Sequence, residues 1–326
     1  MTPGWRTIAP VDLIVTWRHA ARVLVTTAAL LGACGGDDDG GWSPVSGAPS
    51  LTSALRVWAF SPRDVWVLDG SPTVQRFDGA TWSPLATPAT GGLGCIFALS
   101  ATDIWLCAGS EVLHYDGTAF TASDVTASTG LDGLTAIWAS SPSDVWAVGD
   151  DAIVAHFDGT TWTRTLVGSP FKSSIWGAGP RDLYALSTFD LSHYDGIAWT
   201  EVDLGAGASG GDGQIWGTSA SDVWVMPGSE HLSHYDGTAW TAVDLDLVGD
   251  LAAVWGPAPD DLWAAGSAGA IAHYDGSSWT EVAHQKIGAP FLRQFLAVHG
   301  TSSDDIWIVG HELGDNGSTG LIYHRP

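Results

Sequence analysis

Hydrophobic and polar positions along this chain fall into three columns that return about every 40 residues. The middle column is an Asp, an aliphatic residue and an aromatic one: Asp64-Val65-Trp66, Asp103-Ile104-Trp105, Asp144-Val145-Trp146, Asp182-Leu183-Tyr184, Asp222-Val223-Trp224, Asp261-Leu262-Trp263 and Asp305-Ile306-Trp307. Eight residues before each aromatic stands Trp58, Phe97, Trp138, Trp176, Trp216, Trp255 or His299, an offset that never varies. The residues between these columns are turn formers such as Ser140-Ser141-Pro142-Ser143, where Pro presets φ and Ser bonds the local backbone. The pattern predicts a hairpin of strands A and B. Gly-rich turns follow, then an alternating strand C that ends in His-Tyr-Asp-Gly or a near relative, as at 114–117 and 234–237. Four residues after that Asp comes the third column: Trp82, Phe120, Trp162, Trp199, Trp240 and Trp279. A tight Asp-Gly turn into a short strand D accounts for the constant spacing. Each repeat is therefore a four-stranded antiparallel meander.

Such a sheet carries Trp, Val, Ile and Tyr on both faces and needs neighbours on both sides. Radial closure of seven repeats into an all-β, seven-bladed β-propeller provides them and shields the sheet edges; an open solenoid would need polar caps instead. The two ends of the chain argue for closure. The seventh repeat reaches a strand C at Leu321-Ile322-Tyr323-His324 and stops at Pro326, whereas Asp39-Gly40-Gly41-Trp42-Ser43-Pro44-Val45 matches the strand D of Asp78-Gly79-Ala80-Thr81-Trp82-Ser83-Pro84-Leu85. An N-terminal strand over about 39–45 is thus expected to complete the C-terminal blade, with Trp42 in the third column.

Residues 1–33 read as an export signal: Arg18 and Arg22 precede an apolar run, Val23 to Ala33, too short to cross a bilayer as a helix. Leu31-Gly32-Ala33-Cys34 resembles a bacterial lipobox, which implies cleavage before Cys34 and its diacylation. Gly35-Gly36-Asp37-Asp38-Asp39-Gly40 suits a flexible tether over 34–41, leaving 42–326 for the propeller. Loss of the signal removes three Arg and one Asp, taking the formal charge from -24 to -26. Nucleic acid is a poor partner for that surface, and any membrane association is expected through the acyl chains alone. A monomer without a cofactor is expected. Cys95 and Cys107 sit on strands A and B of one hairpin; a disulfide and two small apolar residues packed between blades are both open readings.

The form Leu134-Thr135-Ala136-Ile137-Trp138, Asp144-Val145-Trp146-Ala147-Val148-Gly149, His156-Phe157-Asp158-Gly159-Thr160-Thr161-Trp162 resembles the BNR or Asp-box class of propeller repeats, including those of photosystem assembly factors and sialidase-like proteins. It departs in one respect: Asp and Gly are adjacent here, whereas Asp-box turns generally leave one residue between them. The resemblance implies a propeller used for binding, and does not transfer an activity.

A sialidase-like enzyme would need an arginine cluster, an acid and a Tyr-Glu nucleophile pair. The Arg residues after position 33 (56, 63, 76, 164, 181, 293 and 325) do not share a column, and Leu55-Arg56-Val57-Trp58 is a faint echo of a sialidase Arg motif. The strand-C His (His114, His156, His193, His234, His273) lie on separate blades, which favours a bond to a neighbouring strand over a metal ring, and the triplet Asp reads as a turn former. No metal site and no catalytic group are expected.

Variation in length is confined to the D-to-A and B-to-C connections, which share one face, and tolerance of length change marks a functional face. The longest D-to-A connection, between Trp279 and His299, and an expanded B-to-C loop over 310–318 should be neighbours. A ligand patch is expected from His284, Lys286, Arg293, His299, His311, Glu312, Asp315 and Asn316. The favoured function is a non-catalytic cell-envelope lipoprotein that binds a protein or glycan; the alternative is an extracellular carbohydrate-active enzyme of sialidase-like type.

Overall fold

The computed structural model describes residues 41–125, 133–204, 213–226, 231–245, 249–284, 293–314 and 317–326. Seven four-stranded antiparallel sheets make up this region. Their innermost strands, A of blades one to seven, are Arg56–Ser61, Leu93–Ser100, Leu134–Ser141, Lys172–Gly179, Gln214–Ser219, Leu251–Ala258 and Arg293–Ser302. No helix occurs among the described residues.

Blades one to six follow the chain in order, and the seventh closes the ring. Its strands are Arg293–Ser302, Asp305–Gly314 and Gly317–Arg325, and its outer strand is Ser43–Pro44 from the other end of the chain. Ser43 pairs with His324 and Pro44 with Tyr323, and Val45 N–H donates to the Ile322 carbonyl at 3.0 Å. Trp42 is fully buried. Within the described part of the predicted 39–45 strand, the pairing covers Ser43 and Pro44, just beyond Trp42.

The stretch 310–318, predicted as an expanded loop, is instead mostly ladder. Glu312 pairs with Thr319, Leu313 with Ser318 and Gly314 with Gly317, while Arg293 pairs with Glu312 on the other side. Three long strands satisfy each other's backbone groups here, so a loop would have left them without partners.

Aromatic columns carry the contacts between blades. The middle-column ring of each blade meets the third-column ring of the next: Trp105 with Trp162 at 6.5 Å, Trp146 with Trp199 at 6.0 Å and Trp224 with Trp279 at 5.6 Å. The seam uses the same contact twice, Trp263 with Trp42 at 5.8 Å and Trp307 with Trp82 at 6.4 Å. All five pairs are steeply inclined, at 69–82°; this edge-to-face geometry sets the positive ring edge against a π face.

The triplet Asp does more than form a turn. Asp144 Oδ1 accepts from Trp146 Nε1 at 3.0 Å and from His156 Nε2 at 2.7 Å, and the His156 ring stacks on Trp146 at 3.9 Å. The same Asp-to-His bond recurs at Asp103–His114, Asp182–His193, Asp222–His234, Asp261–His273 and Asp305–His324. Blade one replaces His by Arg76, whose Nε and Nη2 reach the two Asp64 oxygens at 2.8 and 3.0 Å. The strand-C His thus serve the neighbouring strand B.

At the C-to-D turn, Asp158 Oδ1 accepts from the Thr160 and Thr161 N–H groups, both at 2.8 Å. Gly159 takes φ of 91°, and a Cβ there would lie 2.7 Å from Ser143 Cβ in the A-to-B turn. Two demands, a left-handed backbone and a close approach, fall on one residue, which is why Gly follows Asp.

Candidate functional site: the central channel

Strand A is the inner edge of every sheet, so its side chains and spare backbone groups face the axis. They enclose a cavity of about 360 Å³. Chain direction orders its wall. Strand A runs from the face carrying the D-to-A and B-to-C loops toward the face carrying the tight turns. The first-column rings Trp58, Phe97, Trp138, Trp176, Trp216, Trp255 and His299 therefore line the turn-side end, and Arg56, Thr135, Ser173, Gln214 and Gln294 line the loop-side end.

Bulges aim several of these groups. In five blades the ladder slips near the start of strand A, between Leu93 and Cys95, Leu134 and Ala136, Lys172 and Ser174, Leu251 and Ala253, and Phe295 and Ala297. The skipped residues include Thr135, Ser173, Ala252 and Leu296, all on the channel wall. A bulge leaves one residue unpaired and redirects its side chain. Opposite the blade-three bulge stands Gly149, where a Cβ would collide with the Gly133 carbonyl oxygen.

An exposed sheet edge leaves N–H groups without partners, and the wall answers this with side chains from the preceding blade. Ser174 Oγ accepts from Ile215 N–H at 3.1 Å, Gln214 Oε1 from Val254 N–H at 2.9 Å, and His299 Nδ1 from Ala59 N–H at 3.1 Å. Thr135 Oγ1 donates to the Lys172 carbonyl of the next blade.

His299 lies at the turn-side end of strand A, six residues from Arg293, and so belongs to the channel wall rather than to a loop patch. Its ring sits 4.2 Å from Trp58 and 5.5 Å from Trp255. Burial among them pushes its pKa down to about 3. A neutral ring with Nδ1 free to accept is what the Ala59 bond requires.

Arg293 is only 5% exposed, bonds Glu312 Oε2 at 2.7 Å and lies 5.7 Å from the Tyr323 ring centre. The structure therefore brings Arg293 and Glu312 together, but inside blade seven. His311 Nδ1 lies 3.5 Å from Ser53 Oγ. The His284 side chain, Lys286, Asp315 and Asn316 lie outside the described residues, as does Cys34. Cys95 and Cys107 are directly opposed in the ladder and joined by a disulfide, with a Cα–Cα distance of 5.0 Å.

Lys172, the other Lys of the chain, is fully buried; its Nζ lies 3.0 Å from Asp190 Oδ1. Asp190 also accepts from Ser187 Oγ at 2.9 Å and from Ser169 N–H at 2.6 Å, tying two loops of the loop face together. Beside this anchor Phe171 and Phe189 are 53% and 67% exposed. Phe171 is held at φ of 59°, and its carbonyl accepts from Thr188 N–H at 3.4 Å. The exposure was invisible in the pattern of the repeats, because both Phe residues fall in connections rather than in a column.

No family model matches the sequence, and no curated protein matches it. Solved structures do. YCF48 bound to D1 peptide superimposes with a TM-score of 0.65 at 15% identity, covering 87% of this chain and 94% of that one. YCF48 from Cyanidioschyzon merolae gives 0.66 at 13% identity, covering 87% and 98%. The extracellular domain of a hybrid two-component system from B. thetaiotaomicron gives 0.66 at 14% identity, where 86% of this chain spans 41% of the other. At such identities the likeness establishes a shared propeller fold.

Proposed function

We propose that this chain is a non-catalytic propeller of the bacterial cell envelope, lipid-anchored through Cys34, that docks a protein partner on its loop face. In this reading 1–33 is a signal peptide, 34–41 a tether and 42–326 the propeller, with repeats of the BNR or Asp-box type. The single observation that carries it is the pair Phe171 and Phe189, large apolar side chains left in solvent beside a buried Lys172–Asp190 anchor. Exposed apolar groups on a rigid support are what a protein interface uses. YCF48, which shares the fold, is seen with a bound D1 peptide. The carbohydrate-active alternative calls for convergent carboxylates in the central cavity, and the described residues lining it include no Asp or Glu.

Cross-linking of the full chain in envelope extract, beside the Phe171→Ser/Phe189→Ser variant, tests the proposal. A protein retained by the parent and lost from a folded variant is expected; equal capture by both, or a glycan-array signal in place of a protein, would refute it. Cys34→Ser is expected to move the protein from the membrane to the soluble fraction.

A further inference from the structure

Arg56 stands in the channel wall two residues before the first-column Trp58, the register that Ser174 and Gln214 occupy in blades four and five. Those two side chains accept a backbone N–H from the next blade. Arg56 has no acceptor and cannot do so. Its one described bond runs from Nη1 to the carbonyl of the adjacent Leu55, at 2.9 Å. Among the described residues no carboxylate bonds Arg56, while Arg76, Lys172 and Arg293 each hold one. Arg63 and Arg181 also bond no described carboxylate, but both lie exposed in turns; Arg56 is the cation without a described acid in the channel wall.

Arg56 is half-buried in the channel wall, where desolvation lowers its pKa, and a partly desolvated cation without a counter-ion costs free energy. Packing does not explain the charge, since an apolar side chain of similar length would fill the same wall without that cost. A bound anion would explain it. Gln214 keeps two amide N–H donors after its Oε1 is used, and Gln294 of neighbouring blade seven adds a further amide. Below them lie Trp58, Phe97, Trp138 and Trp216, which offer apolar surface and no charge.

We infer that the channel is a binding site for a single carboxylate on an apolar or aromatic body, with Arg56 as its anchor. A planar guanidinium matches a carboxylate in two parallel bonds, and the ring-lined end takes the body. The carboxylate has two possible sources, a free small acid or the C-terminus of a polypeptide. The loop-face docking proposed above is separate: the Phe171→Ser/Phe189→Ser variant should bind the acid unchanged.

Calorimetric titration of the whole protein with 3-phenylpropionate and with N-acetyl-Ala-Ala-Phe, each beside its carboxamide, tests the site. At least one acid should bind, its amide about tenfold or more weaker, and Arg56→Gln should lose about tenfold or more. Tighter binding of the small acid or of the peptide identifies the source. Arg56→Met should lose the acid while melting no lower than the parent. Acid and amide binding alike, neither acid binding at millimolar concentration, or an Arg56→Met that melts well below the parent would overturn the inference, the last by making Arg56 a structural residue.

Discussion

The outer belt of the ring and its inner wall are built from the same seven repeats, yet they treat variation in opposite ways. In the belt, the Asp144–His156 bond of blade three recurs at similar distances in six blades, and blade one sets Arg76 in the place of the His. In the wall, the register two residues before the first column reads Arg56, Cys95, Ala136, Ser174, Gln214 and Ala297, while in blade six Ala253 is buried in the core and its neighbours Ala252 and Val254 line the channel. The Asp and His hold the middle-column ring within its blade, and that ring packs on the third-column ring of the next, as Trp146 does on Trp199, so a change in one blade has to be matched by its neighbour. Wall residues face a shared space, where unlike groups can converge on one ligand without upsetting a neighbour. Regularity therefore marks what holds the ring, and irregularity marks where specificity can reside.

Breaking the belt at its seam should have the largest effect. Trp42 is wholly buried and packs on Trp263, next to the short strand Ser43–Pro44 that pairs with strand C of blade seven. Trp42→Ala should cost about 3–5 kcal/mol in denaturant unfolding, the usual range for a buried Trp. Gln294→Ala on the wall should stay within about 0.5 kcal/mol of the parent. If the two variants unfolded alike, belt and wall would not differ in the way described.

Part of the belt was legible in the sequence: the fixed columns and a bond from the strand-C His to a neighbouring strand were, but the triplet Asp read only as a turn former, because its bond to the His crosses between strands. Closure was legible from the columns: Trp42 fills one that the seventh repeat leaves empty. The wall was not. Alternation along a strand tells which residues share a face, but the inner strand is an edge, and what it presents to the axis depends on bulges. Thr135 reaches the channel because the ladder slips beside it, and Gly149, which permits the slip, reads in the sequence as one more turn glycine. The basic residues misled for a related reason. Arg293 looked like a surface group amid acids, but paired strands draw it against Glu312 and Tyr323, whereas Arg56, an isolated oddity in the sequence, gains meaning only when the cavity is seen to hold no described acid.

Blade one sharpens the comparison from within the belt. There Arg76 grips Asp64 by two bonds and lies 5.7 Å from the Trp66 ring centre, so a guanidinium replaces the imidazole. His156→Leu should cost about 1–3 kcal/mol, because Asp144 then loses its partner on strand C. His156→Arg should recover most of that loss, since blade one shows that the site accepts a bidentate Arg. The unfolding midpoints of the pair decide it: no recovery would mean that each blade tunes its belt separately.

The smallest effect lies in acid. In the C-to-D turns Asp116, Asp158, Asp236 and Asp275 are held down to about 2, in each case first by the following Thr or Ser hydroxyl and then by backbone N–H groups. In the belt, burial works against the charged form of Asp222, but bonds from His234 and Thr218 outweigh it and its pKa is also lowered. A carboxylate whose folded pKa lies below its unfolded value of about 3.9 adds stability above that value and loses it as pH falls through the folded one. The melting temperature should therefore hold near neutrality and decline between about pH 4 and 2. Loss of net negative charge relieves repulsion over the same range and opposes the decline, so the single turn is best isolated by substitution. Asp158→Asn keeps an acceptor for the Thr160 and Thr161 N–H groups but cannot titrate. It should melt slightly below the parent at pH 7 and show a shallower acid slope, by at most one proton's share. An unchanged slope would mean that the turn Asp contributes by its shape alone.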